Sequence, residues 1–194
     1  MTTSSGVGSV GGGVLTPGAT FPPTGGTATL LRGERCLEYT IDTTGLPPGA
    51  YTNWMFVFNT PVACRNPAFG AVCFGGRDLF GIPGANGSLF WTGGAVVGED
   101  GRARFGKRIC VGDHLGPPET QHVAGPGVVD PMNAAVYVLV RYHGPASENP
   151  DQLYWQTNSL LGGCRSGSNS KDFGPPVGVH CPDLQLAVFN PPGG

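Results

Sequence analysis

Charge is scarce in this chain: Lys, Arg, Asp and Glu together make up 12% of 194 residues, and the formal net charge is only −2. So weak a field does not gather nucleic acid or an anionic membrane, which argues against partners recognised by charge. Long apolar runs are missing too. The longest, around Trp54 to Phe58, is far too short to cross a bilayer, so no membrane span is expected. The amino terminus lacks the basic and then apolar pattern of an export signal. The expectation is therefore a mature recombinant form, or a protein that oxidises elsewhere, such as at a virion surface.

Signatures of catalysis are equally absent. There is no His-x-His or His-Glu-x-x-His to put two metal ligands on one face, no Gly-x-Ser-x-Gly elbow, and no Cys-x-x-Cys. The chain is read as non-enzymatic and without a cofactor. The carboxylates Asp78, Glu99, Asp100, Asp130, Glu148 and Asp151 could pair in space for glycoside hydrolysis, but each falls in a turn or loop where an acidic residue needs no special role.

What the chain has in quantity is glycine (34), proline (19) and an even number of cysteines (6). That composition points to a loop-rich, disulfide-tied protein of an oxidising, extracellular type of environment. Residues 1–26 form a Gly, Ser, Thr and Pro run that cannot build a core, and are expected to be an extended arm. Residues 27–190 should form one β-sandwich domain, with 191–194 as a tail.

From Thr27 onward, apolar and β-branched residues alternate with period two, and no stretch shows a convincing helical repeat. Strands are expected at 27–32, 35–42, 52–59, 88–97, 102–111, 134–143, 153–157 and 184–190. Leu37, Tyr39 and Ile41 should face a core. Trp54–Met55–Phe56–Val57–Phe58 is apolar on both faces and should be central, as should the strand around Val138. Gly98-Glu99-Asp100-Gly101 carries the Asp-Gly pair of a tight hairpin turn, joining the strands on either side. The fold class expected is an all-β, antiparallel, disulfide-stabilised sandwich, immunoglobulin-like or jelly-roll-like, with an extended amino-terminal arm.

Sequence does not fix the cysteine pairing. Proximity favours Cys64 with Cys73 and Cys164 with Cys181, each closing its own loop, which leaves Cys36 and Cys110 on neighbouring strands beside Glu38 and Arg108. Closing a loop as short as those bounded by Cys64 and Cys73 or by Cys164 and Cys181 is worth roughly 3 kcal/mol in the chain-entropy description.

Candidate binding residues are few. Tyr154 and Trp155 are the best pair for a glycan platform; on a strand they would face opposite ways, so that only one is presented. His114 and His122 share a loop with Asp113, Glu119 and Asp130 and are weak metal candidates, with a solvated polar loop the simpler reading. Arg102, Arg104, Lys107 and Arg108 flank one strand, as an anion stripe or a solvated face. Asn86-Gly87-Ser88 matches both an N-glycosylation acceptor and a tight turn.

Several segments together resemble a group of uncharacterised secreted bacterial β-sandwich proteins: Gly45 to Trp54, Gly101 to Phe105, Val138 to Pro145, and Gly162-Gly163-Cys164. The general pattern also resembles chordin-repeat-like domains, and through them the sandwich of Cu/Zn superoxide dismutase. That resemblance implies the sandwich but no copper site, because Tyr137 and Leu139 occupy the strand where a His-x-His would stand. It implies secretion and supplies no catalytic residue. The resulting expectation is an extracellular structural or surface-assembly module that self-associates into an oligomer or filament through strand addition by its arm. A glycan- or metal-binding module at the cell surface is the alternative, with a secreted hydrolase behind it.

Overall fold

The computed structural model describes residues 2–4, 25–67, 71–74, 78–79, 81–113, 121–160 and 181–192. Within these, nine strands form two antiparallel sheets. They are β1 (Thr2–Ser4), β2 (Gly25–Arg32), β3 (Cys36–Thr44), β4 (Gly49–Phe58), β5 (Gly87–Val97), β6 (Ala103–Cys110), β7 (Gln121–Ala124), β8 (Ala135–Tyr142) and β9 (Asp183–Phe189). One sheet has the order β1-β2-β3-β6 and the other β7-β5-β4-β8-β9. The expected all-β sandwich is therefore the fold observed, and β4 is the middle strand of its sheet, as its two apolar faces require.

The alternation read from sequence is the alternation buried. Leu30, Leu37, Tyr39, Ile41, Phe105 and Ile109 point inward from the four-stranded sheet, and Tyr51, Met55, Val57, Phe90, Val136, Val138 and Val140 meet them from the five-stranded one. A polar network crosses this core where Thr92, the extra residue of a bulge in β5, stands between the pairs Asn53–Gly93 and Trp54–Trp91. The Tyr39 hydroxyl reaches both Asn53 Oδ1 and Thr92 Oγ1, and Asn53 Nδ2 donates to the Leu139 carbonyl at 2.9 Å. Buried polar groups placed so are satisfied rather than orphaned.

Arg32 is the second buried polar device. Its guanidinium leaves the four-stranded sheet and donates to the carbonyls of Pro131 and Ala134 at 2.8 Å, and of Phe189 and Asn190 at 3.3 Å. Burial lowers its pKa from the ordinary arginine value, and the charge of Asp130 opposes that shift. It ties the end of β2 to the opposite sheet.

Two local expectations are corrected. The Gly98–Gly101 turn forms, with the Gly101 N–H donating to the Gly98 carbonyl at 3.1 Å and Gly101 at φ 63°. Yet β5 and β6 lie in different sheets, so the turn carries the chain across the sandwich and is not a hairpin. Residues 153–157, expected as a strand, belong to a helix, α1 (Pro150–Asn158). Asn149 caps it, its side chain accepting from the N–H groups of Asp151 and Gln152, while Pro150 opens the first turn and Asp151 favours the helix dipole. Strands β1 and β7 were not expected, and β7 is a four-residue strand inside a connection read as Pro-rich loop.

Candidate functional site

The two outer faces of the sandwich differ. The outer face of the five-stranded sheet is covered: Trp54, Phe58, Leu89, Trp91, Tyr137 and Leu139 lie beneath the segment between β4 and β5, which contributes Ala71, Cys73, Leu79 and Ala85. The Cys64–Cys73 disulfide closes part of that segment, as expected. Asp78, fully buried, is its hub. Oδ1 accepts from the Arg65 N–H at 3.0 Å and from Asn66 Nδ2 at 2.7 Å, and Oδ2 from the N–H groups of Asn66 at 3.2 Å and Phe74 at 2.9 Å. Burial pushes this carboxyl up, and the four hydrogen bonds outweigh it, leaving the pKa below the usual aspartate value. Beneath the hub, the Tyr137 hydroxyl accepts from the Cys73 N–H at 2.9 Å. Burial raises that phenol to about 12, against the hydrogen bond and with the charge of Asp78.

Helix α1 completes the cover. It approaches β5 so closely that a Cβ on Gly94 would sit 2.0 Å from the Thr157 carbonyl oxygen. Buried Gln156 fastens the helix through donations to the carbonyls of His143 at 3.1 Å and Pro145 at 2.9 Å. Tyr154 and Trp155 then face away, 48% and 38% exposed, with ring centroids 6.0 Å apart in an edge-on arrangement. The expectation that only one ring is presented fails because the segment is helical: neighbours lie about 100° apart around a helix, against 180° along a strand. The sequence signal for this was Asn149-Pro150-Asp151.

Among the described residues, nothing covers the outer face of the four-stranded sheet. Thr27, Thr29, Glu38, Asp42, Arg104 and Arg108 are exposed there. Cross-strand register sets Glu38 opposite Arg108 and Asp42 opposite Arg104, the latter pair 3.7 Å apart and well solvated. Such a pair adds little to stability. Arg104 and Arg108 thus belong to a solvated face. Cys36 and Cys110 are register partners on it and form the expected disulfide. Cys181 is also oxidised, and Cys164 lies outside the described residues.

The edges of that open sheet are unlike each other. At one, β6 presents its charged residues, which guard an edge against further pairing. At the other, β1 adds to β2 with Thr2 opposite Arg32, Thr3 opposite Leu31 and Ser4 opposite Leu30. Among the described residues that register covers Leu30 to Arg32 of β2.

The metal candidates do not assemble among the described residues. His114 lies outside them, and His122 sits on β7 in register with Phe90. Cys64, Cys73 and Asp78 gather within 4.8 Å, but the two sulfurs are bonded to each other and are not ligands. His143, fully buried, is built into the covered face: Nε2 lies 2.7 Å from Thr52 Oγ1, which accepts from Trp54 Nε1, and Nδ1 lies 3.5 Å from Cys181 Sγ. The remaining carboxylates occupy separate connections, Glu99 and Asp100 before β6, Asp130 before β8, and Glu148 and Asp151 around the start of α1. Among the described residues, no helix is long and apolar enough to cross a membrane. No family, no curated protein and no solved structure matches the chain.

Proposed function

We propose that the protein is a non-catalytic extracellular structural module that assembles by strand addition, the β1 segment of one copy pairing with the β2 edge of the next. The observation that carries this reading is β1 itself, a short strand joined to an edge from which residues 5–24 separate it in sequence. Fully extended at about 3.3 Å per residue, that connection reaches on the order of 65 Å, enough to place β1 on another subunit as easily as on its own. A net charge of −2 leaves little long-range repulsion between copies. Docking on the next copy makes a head-to-tail contact, which propagates as a filament when it does not close into a ring. Two disulfides and an oxidised Cys181 fit an oxidising compartment.

The test is a pair of cysteines at register partners, Thr3→Cys with Leu31→Cys, in the full chain. Disulfide ladders on a denaturing gel, together with filaments or rings by electron microscopy that vanish when residues 1–24 are removed, are the expected outcome. Cross-linking only within single chains, with uniform monomers, would refute it.

The exposed Tyr154 and Trp155 pair favours a second reading, a glycan-contacting surface on α1. It requires saturable binding on a glycan array that Trp155→Ala abolishes without lowering the melting temperature.

A further inference from the structure

The Cys36–Cys110 bridge is placed for chemistry that the Cys64–Cys73 bridge is not. Cys73 is fully buried under the covering segment. Cys36 and Cys110 are both half-exposed on the open face. With β3 between β2 and β6, the bridge joins β3 to β6, and Cys36 is its member next to β2. Gly33 stands there, its N–H donating to the Cys36 carbonyl at 2.9 Å. It has no side chain to fill the approach, and a Cβ built on it would meet only the Cys36 carbonyl oxygen, at 3.7 Å. The result is a depression of about 50 Å³ lined by Leu31, Arg32, Gly33, Cys36, Glu38 and Arg108. Arg108 Nη2 lies 3.5 Å from Cys36 Sγ.

We propose that Cys36 is a site of mixed-disulfide formation with small anionic thiols, meaning low-molecular-weight thiols that carry a carboxylate. Exchange needs a thiolate that attacks one sulfur along the S–S axis while the other departs. The depression gives a small thiolate access to Cys36, and the Arg108 guanidinium attracts both the thiolate and its carboxylate. The incoming sulfur supplies the electron pair for a new S–S bond to Cys36, the Cys36–Cys110 bond breaks, and Cys110 leaves as a thiolate that takes a proton from water. One disulfide replaces another, so no separate oxidant is consumed. Glu38 opposes the anion from the same depression, and Glu34 and Arg35 flank it from the β2–β3 turn with opposite charges.

The experiment treats the oxidised full chain with mercaptoacetate or with cysteamine and follows adducts by intact mass and peptide mapping. The first adduct is expected on Cys36. Arg108→Gln should slow mercaptoacetate about fivefold, the effect of one unit charge near 4 Å in water, and should not slow cysteamine. Glu38→Gln should speed mercaptoacetate, and Gly33→Leu, which needs no unusual backbone angle, should slow both thiols. A first adduct on any other cysteine, or an Arg108→Gln variant that reacts with mercaptoacetate at the parent rate, would overturn the proposal.

Discussion

Replacing Asp78 with asparagine probes how the covering segment is held on the five-stranded sheet. The substitution keeps the shape and leaves one oxygen for the Arg65 N–H and Asn66 Nδ2. It turns the other acceptor into an NH2 group that faces the N–H groups of Asn66 and Phe74. Two hydrogen bonds to a charged acceptor are lost, each worth about 1.5–3 kcal/mol, and relief from burying the charge returns part of that. A net loss of about 3 kcal/mol at pH 7 is expected, on the order of 6–12 °C in melting temperature for a chain of this length.

The pH dependence sharpens this test. Because the native pKa of Asp78 is depressed below its ordinary value of about 3.9, its contribution is fully present above that value and is lost as pH falls through the native pKa. Denaturant unfolding of both proteins at pH 7 and at pH 3 isolates the effect, since the other carboxylates cancel in the difference. The gap between them should narrow at pH 3. A gap below about 0.5 kcal/mol at pH 7, or one that does not change with pH, would refute the role given to Asp78.

Three other outcomes are expected. Chain entropy assigns about 4.4 kcal/mol to the Cys36–Cys110 bridge, with a sequence separation of 74, and about 2.6 kcal/mol to Cys64–Cys73, with a separation of 9, so double alanine variants should melt in that order. Gly94→Val drives a side chain into the Thr157 carbonyl and should cost about 2 kcal/mol or more, with the change in Trp155 fluorescence reporting displacement of α1. Tyr137→Phe leaves the buried Cys73 N–H without its acceptor and should cost about 1–3 kcal/mol by thermal unfolding; a neutral result would mean that another group replaces the phenol.

The candidate sites were legible to different depths. The bridge between Cys36 and Cys110 could be read because both cysteines shared a face with charged neighbours, and pairing the two strands puts those neighbours opposite each other as well. The exposure of Tyr154 and Trp155 could not be read correctly while their segment passed for a strand. Tyr154, Trp155 and Thr157 favour extended backbone at least as readily as helix, and Asn149-Pro150-Asp151 decided the matter. Asp78 looked like any loop aspartate, because nothing in its neighbourhood says that Arg65, Asn66 and Phe74 would turn their donors on it.

By itself, the sequence determined the period of the long strands β2 to β6, β8 and β9, and with it which side chains share a face, because a strand turns over every residue regardless of what lies beyond it. It likewise determined the turn at Gly98–Gly101, which a few backbone angles specify, and the oxidised character of the chain. Only the tertiary structure decided that β5 and β6 part to different sheets, since a local reversal is compatible with pairing or with crossing and the choice depends on which apolar faces find each other. It also decided that, among the described residues, one sheet is covered and the other open. That asymmetry comes from a disulfide, a buried carboxylate and a capped helix, brought by long connections onto the sheet whose strands are apolar on both sides.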